Sequence, residues 1–274
     1  MKNILVPIDF STTSHNAGKY AASMAEIFNA KVTFFNVVPD TLIIDEEADE
    51  ERIAMHQEKI SGNKNLMAKE IKRLTKNKKV LLESYVYEGS PCNVILNMAK
   101  ENNPDIIIMG MKGKGQSNSV FGSTVTSVVR KSSIPVLIIP EMADYLPIDT
   151  ITLATDFDTD TYAACYALLM KIAKKYNSFI QVLNVQKKEK QMNDSEFIGK
   201  MDTQYSLAGL KHSFNIVEDT SVIEGINKFI EEKPCDMLAM MAHKHSFTER
   251  LFGKVYTKEM SYATVVPLLV LQNK

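Results

Sequence analysis

Residues 3–37 read NILVPIDFSTTSHNAGKYAASMAEIFNAKVTFFNV, and residues 150–185 read TITLATDFDTDTYAACYALLMKIAKKYNSFIQVLNV. Both stretches follow one plan. A short β-rich run meets an Asp-Phe pair (Asp9 and Phe10; Asp156 and Phe157), a stretch of helical character follows, and a second β run closes on Asn-Val (Asn36 and Val37; Asn184 and Val185). The echo returns downstream, where residues 104–115, PDIIIMGMKGKG, match residues 235–246, CDMLAMMAHKHS, anchored on Asp105 and Asp236. From those anchors Gly110 falls on Met241, Gly113 on Lys244 and Gly122 on Gly253, with eight residues between the second and third positions in both copies. Self-similarity at this scale marks a duplicated structural unit.

The runs ILVPI, KVTFFNVV, DIIIM and PVLII are short, continuous and β-branched, with helical periodicity between them. That pattern belongs to strands covered on both faces and linked by crossover helices, a parallel α/β sheet. The expectation is two tandem, five-stranded, Rossmann-like domains over residues 1–140 and 150–274, with the linker at 141–149 and Pro140 and Pro147 at its edges. Ser11 to Ser14 supply hydroxyls ahead of the first helix, and Ser90 followed by Pro91 opens another. Residues 45–79 are acidic early and basic late, as expected for a solvated helix whose charges complement its own macrodipole.

Lys and Arg number 32 against 33 Asp and Glu, so no global basic field draws the chain to nucleic acid. The amino terminus does not read as a secretory signal, and no apolar run reaches the ~20 residues of a membrane span. Cys92, Cys165 and Cys235 are widely spaced and contain no CxxC pair, which argues against a disulfide framework and for a reducing, cytoplasmic setting. His243 and His245 invite a metal reading, but alternate residues of an extended segment face opposite ways and four ligands at recognisable spacing are missing. No metal site is expected.

After the fourth β run come Gly110, Gly113 and Gly115, then Gly122, Ser123 and Thr124 at the start of a helical stretch. Glycines let peptide N–H groups approach a polyphosphate closely, and a helix amino terminus with nearby hydroxyls favours an anion. Gln116 stands where a Walker A loop needs its lysine, and Asn118 stands where a dinucleotide fingerprint needs its third glycine. Phosphate cradling by another kind of loop is the chemistry left.

These residues resemble the universal stress protein family, whose ATP-binding branch carries Gly, two residues, Gly, nine residues, Gly, then Ser or Thr. Here Gly110, Gly113, Gly122 and Ser123 stand in that order, with eight residues in the last gap. The resemblance also covers Pro7 to Phe10, the run ending at Val37 and the run from Pro135 to Ile139, and it spans the chain twice. It implies a universal stress protein fold in each half and binding of ATP, with or without Mg2+, or of a related adenine nucleotide in the first. By resemblance Pro7 and Asp9 lie at the nucleoside, Asp9 bonding its adenine or ribose side. Val37 and Met109 would pack against the nucleoside, while Gly110, Gly113, Gly122, Ser123 and Thr124 hold ribose and phosphates. In the second half Met241, Lys244 and Lys254 replace residues of that grip, so nucleotide is not expected there.

The function expected is a regulatory, stress-response role with no catalytic residue. The alternatives are slow ATP hydrolysis or autophosphorylation, and an interaction module that binds no nucleotide. The loop itself supplies no acid to hold a catalytic metal. The family also implies that the last strands of the two halves pair, here the segments running from Ile134 to Ile139 and from Val266 to Leu271. A homodimer stays open as a further partner.

Overall fold

The computed structural model describes residues 1–39, 50–111, 123–157, 163–186, 192–242 and 266–272. The first half contributes β1 (Asn3–Pro7), β2 (Lys31–Val38), β3 (Leu81–Glu88), β4 (Ile106–Met111) and β5 (Val136–Pro140). The second contributes β6 (Thr150–Ala154), β7 (Phe179–Gln186), β8 (His212–Glu218), β9 (Met237–Ala242) and β10 (Leu268–Gln272). All ten join in one sheet of order β3-β2-β1-β4-β5-β10-β9-β6-β7-β8. Pairing within each half is parallel. The halves meet through an antiparallel seam in which Leu268, Leu269 and Val270 of β10 face Ile138, Leu137 and Val136 of β5.

Each seam strand begins just after a proline, at Val136 and Leu268, slightly later than the sequence windows opening at Ile134 and Val266. Proline has no N–H to give to a ladder. The carbonyls of Pro135 and Pro267 still accept from the amides of Ile107 and Leu238, both at 2.9 Å.

Seven helices among the described residues cover the sheet: α1 (Thr12–Phe28), α2 (Glu50–Leu74), α3 (Pro91–Asn102), α4 (Ser123–Lys131), α5 (Ala167–Tyr176), α6 (Asp194–Ser206) and α7 (Val222–Glu232). Strand residues alternate between two apolar cores. Ile4 and Val6, Ile106 and Ile108, and Leu137 and Ile139 join Tyr20 and Met24 of α1 and Leu169 of α5. Leu5, Ile107, Met109, Val136 and Ile138 join Ile95 of α3, Val128 of α4 and Ile226 of α7. Burial on both faces explains why the strands read as unbroken apolar runs. Ser11 caps α1, accepting from the Ser14 amide, whereas Ser90 occupies the cap position of α3 without a side-chain cap bond.

The repeat anchors Asp105 and Asp236 have one job, at the edge of the sheet where β1 and β6 begin. One oxygen of Asp105 accepts from the amides of Lys2 (2.6 Å) and Asn3 (3.0 Å), and one of Asp236 accepts from Asp149 (3.0 Å) and Thr150 (2.8 Å). Each ties the start of one strand to the start of its neighbour. Burial alone would raise the Asp105 pKa, but those two amides, the terminal ammonium and Lys171 outweigh it and hold the carboxyl below its ordinary value. A depressed folded-state pKa adds stability that is present above the unfolded value and is lost as pH falls through the folded one. Asp105→Asn is therefore expected to flatten the acid limb of the stability curve and to cost about 1 kcal/mol near neutrality, because solvent screens this half-buried group. Urea unfolding of both proteins across the acid range is the check; parallel curves would remove the charge from this role.

Candidate functional site

The strand order reverses between β1 and β4: from β1 the row runs outward to β2 and β3, and from β4 to β5. Loops leaving neighbouring strands in opposite directions open a crevice at their carboxyl ends, where ligands of open α/β sheets sit. Pro7 closes β1 and is half-buried, Val37 lies half-buried near the end of β2, and Met109 is buried near the end of β4. Asp9 follows β1 and is exposed.

A short polar lattice fixes the Asp9 carboxylate. It accepts from the Ser11 amide at 3.0 Å and from the Ser11 hydroxyl. The Ser11 Oγ in turn accepts from the Ser14 amide at 3.2 Å, while the Ser14 Oγ accepts from the Asp9 amide at 3.3 Å. The cap of α1 is thus Ser11, and Asp9 braces it from two residues upstream. Partial desolvation of the carboxyl by its neighbours would raise its pKa, but the hydrogen bonds from Ser11 and Ser14 win and hold it below the ordinary value. Asp9 is an ionised acceptor with lone pairs to spare.

Between Asp9 and Ser11, Phe10 adopts φ of 62°, and its counterpart Phe157 adopts 57°. A bulky residue in the left-handed region is strained by about 1 kcal/mol or more and persists only where its surroundings dictate it. Asn36 helps to dictate it. The buried Asn36 amide donates to the Ile8 carbonyl at 2.7 Å and its oxygen accepts from Asn63 of α2 at 2.8 Å. Asn184 donates likewise to the Thr155 carbonyl at 2.8 Å. The sequence marks both asparagines as repeat positions but points to Val37, not to them, as a site residue. The signal was there in the repeated Asn-Val.

Gly110 has a packing duty of its own. A Cβ there would stand 2.3 Å from the Thr13 carbonyl oxygen and 2.9 Å from the Ser14 amide nitrogen, so the first turn of α1 rests on the backbone of β4. Ser123 and Thr124 form the start of α4, Ser123 exposed and Thr124 half-buried, at a helix end whose N–H groups have no partner within the helix. Gly113 and Gly122 lie outside the described residues. The site therefore offers a fixed carboxylate, an apolar wall of Val37 and Met109, and a helix amino terminus, all at one edge of the sheet. This set can accept bonds from hydroxyl or amino groups at one end and attract negative charge at the other.

The second half differs at the matching place. Met241 is buried where the first half has Gly110, and the chain enters α5 through a 3-10 turn, Ala163–Tyr166, instead of a long regular helix. A side chain at position 241 leaves no room for the backbone approach that α1 makes. Gly199 of α6 lies against Phe157 instead, where a Cβ would sit 2.0 Å from the Phe157 carbonyl oxygen. Phe157 is 3% exposed beneath it, whereas Phe10 is only half-buried. Lys244, Gly253, Lys254, His243 and His245 lie outside the described residues. Among the described residues no three His, Cys, Asp or Glu side chains gather as metal ligands.

The sequence model of the universal stress protein family matches residues 1–140. Universal stress protein MJ0531 of Methanocaldococcus jannaschii is 29% identical over 140 residues, 50% of this chain and 81% of that protein. The crystal structure of a universal stress protein from Archaeoglobus fulgidus superposes over 99% of this chain and 98% of its own, with a TM-score of 0.73 at 19% identity. A universal stress protein solved in complex with cAMP matches 50% of the chain and 96% of its own, with a TM-score of 0.40 at 19% identity.

Proposed function

Because the chain belongs to the universal stress protein family, we propose that its amino-terminal half binds ATP, or a closely related adenine nucleotide, in the crevice between β1 and β4, and that the ligand regulates rather than reacts. Asp9 carries this reading. An exposed, ionised carboxylate at the switch point, already fixed by Ser11, suits the hydroxyl or amino donors of a nucleoside. Pro7, Val37 and Met109 would flank the base and sugar. Gly110 would serve by seating α1 on β4, and Gly113, Gly122, Ser123 and Thr124 would meet the phosphates. Magnesium, where it accompanies the nucleotide, would be held by phosphate oxygens.

Residues 1–140 and 150–274 would act as two domains, only the first loaded, and the setting is the cytoplasm. None of the described helices is long and apolar enough to cross a membrane. Occupancy would stabilise the folded chain by about 2.7 kcal/mol at a hundredfold excess over Kd. Calorimetric titration of the full chain with ATP, with and without Mg2+, tests the reading. Asp9→Ala is expected to weaken binding about tenfold, roughly 1.4 kcal/mol, in line with a hydrogen bond to a charged group. The proposal fails if the wild-type chain takes up no adenine nucleotide, and Asp9 loses its role if the variant binds as well as its parent.

A further inference from the structure

Between α1 and the end of α2, a depression of about 230 Å3 collects cations from both elements. Lys19 comes from the middle of α1, Arg73 from the last turn of α2, and Lys76 and Lys78 from the turn that follows it. Leu74 and Tyr145 supply its apolar lining. We propose that this cleft is a second ligand site, which takes a small polyphosphate group independently of the crevice at β1 and β4.

The positive charge in the cleft is poorly compensated. Among the described residues Lys19, Lys76 and Lys78 have no carboxylate partner. Lys78 is half-buried, and its partner is a neutral hydroxyl, the Oγ of the buried Ser23, at 2.9 Å. Ser23 spends its own proton on the Lys19 carbonyl at 3.0 Å, so it serves as the acceptor that positions Lys78. Among the described residues Arg73 alone of the four has a carboxylate partner, Glu70. Glu70 is held by His15 Nδ1 at 2.5 Å and lies 3.8 Å from Arg73, and Glu26 accepts from the Lys79 amide at 3.3 Å.

A helix carboxyl end attracts cations, which accounts for Lys76 and Lys78 following α2. It does not account for Lys19, which reaches the same cavity from the middle of another helix. Several ammonium groups around a walled depression focus a positive field and bind phosphate oxygens as point charges. The wall is also held in place: the Asn16 amide donates to the carbonyls of Pro140 (3.0 Å) and Ala143 (2.7 Å), pinning the linker that carries Tyr145.

Inorganic triphosphate, without magnesium, is the probe, titrated into the full 15N-labelled chain at constant ionic strength. Saturable shifts are expected at the amides of Lys19, Ser23 and Lys78. The double variant Lys19→Gln/Lys78→Gln is expected to weaken binding at least tenfold while ATP affinity elsewhere stays within twofold. Ser23→Ala, which frees Lys78, is expected to weaken it by about threefold. The proposal is overturned by shifts confined to Ser123 and Thr124, by shifts that never saturate, or by a double variant that binds as its parent does. Failure of ATP to bind the first crevice would leave these shifts in place, so the two readings fail separately.

Discussion

Replacing Gly110 with alanine is expected to destabilise the chain by about 3 kcal/mol, the upper end of what overpacking a well-filled interior costs. For a chain of this size that lowers Tm by roughly 6–12 °C. The added carbon would stand 2.3 Å from the Thr13 carbonyl oxygen, 2.5 Å from its carbon and 2.9 Å from the Ser14 nitrogen, all of them backbone atoms that cannot rotate away. Relief requires α1 to move as a body. Ala17, Ala21, Met24 and Ala25 lock that helix into the core at 0–1% exposure, so moving it disturbs the whole face. A control sits in α2, where a Cβ on Gly62 meets nothing within 4 Å. Gly62→Ala is expected to be neutral or to stabilise by about 0.5–1 kcal/mol, since alanine favours a helix interior. Thermal and urea unfolding of the two variants side by side should show a large loss for Gly110→Ala and no loss for Gly62→Ala, and equal shifts would refute the backbone clash.

Gly199→Ala is expected to cost about as much, through a different joint. Its Cβ would fall 2.0 Å from the Phe157 carbonyl oxygen and 2.7 Å from the Phe157 carbonyl carbon. Phe157 has little freedom to yield: it holds φ of 57°, is nearly fully buried, and lies 6.1 Å from the Phe214 ring. The helix is held too, because Thr203 donates to the Gly199 carbonyl at 2.8 Å and lies 3.4 Å from the Tyr166 hydroxyl. Hydrogen exchange should show α6 and the 3-10 turn before α5 opening more readily in the variant, with α1 to α4 unchanged. Even acceleration across both halves would show that the joint is not local.

The duplicated plan and the strand runs were legible in the sequence because hydrophobic period and repetition are local signals. Contacts that depend on a distant backbone were not. Gly110 reads as a ligand glycine in a list of residues, and only the fold shows α1 lying on it. Asp105 and Asp236 were visible as anchors, yet their purpose, joining the starts of adjacent strands, needs the strand order. The left-handed turns at Phe10 and Phe157 were invisible because phenylalanine has no preference for that conformation, although the recurring Asp-Phe pair marked the place. The pairing of Lys19 with the basic end of residues 45–79 was likewise out of reach, since it joins two helices.

The seam strand β10 is tenth in chain order but sixth in the row, wedged between β5 and β9. As the polypeptide leaves the ribosome, β5 and β9 must therefore wait with unsatisfied margins until the final strand arrives. Five residues, Leu268–Gln272, then act as a keystone, converting two sticky half-sheets into one closed row. A nascent chain that stops short of Leu268 would expose two apolar margins in the middle of the molecule, an invitation to self-association that quality-control machinery would meet first.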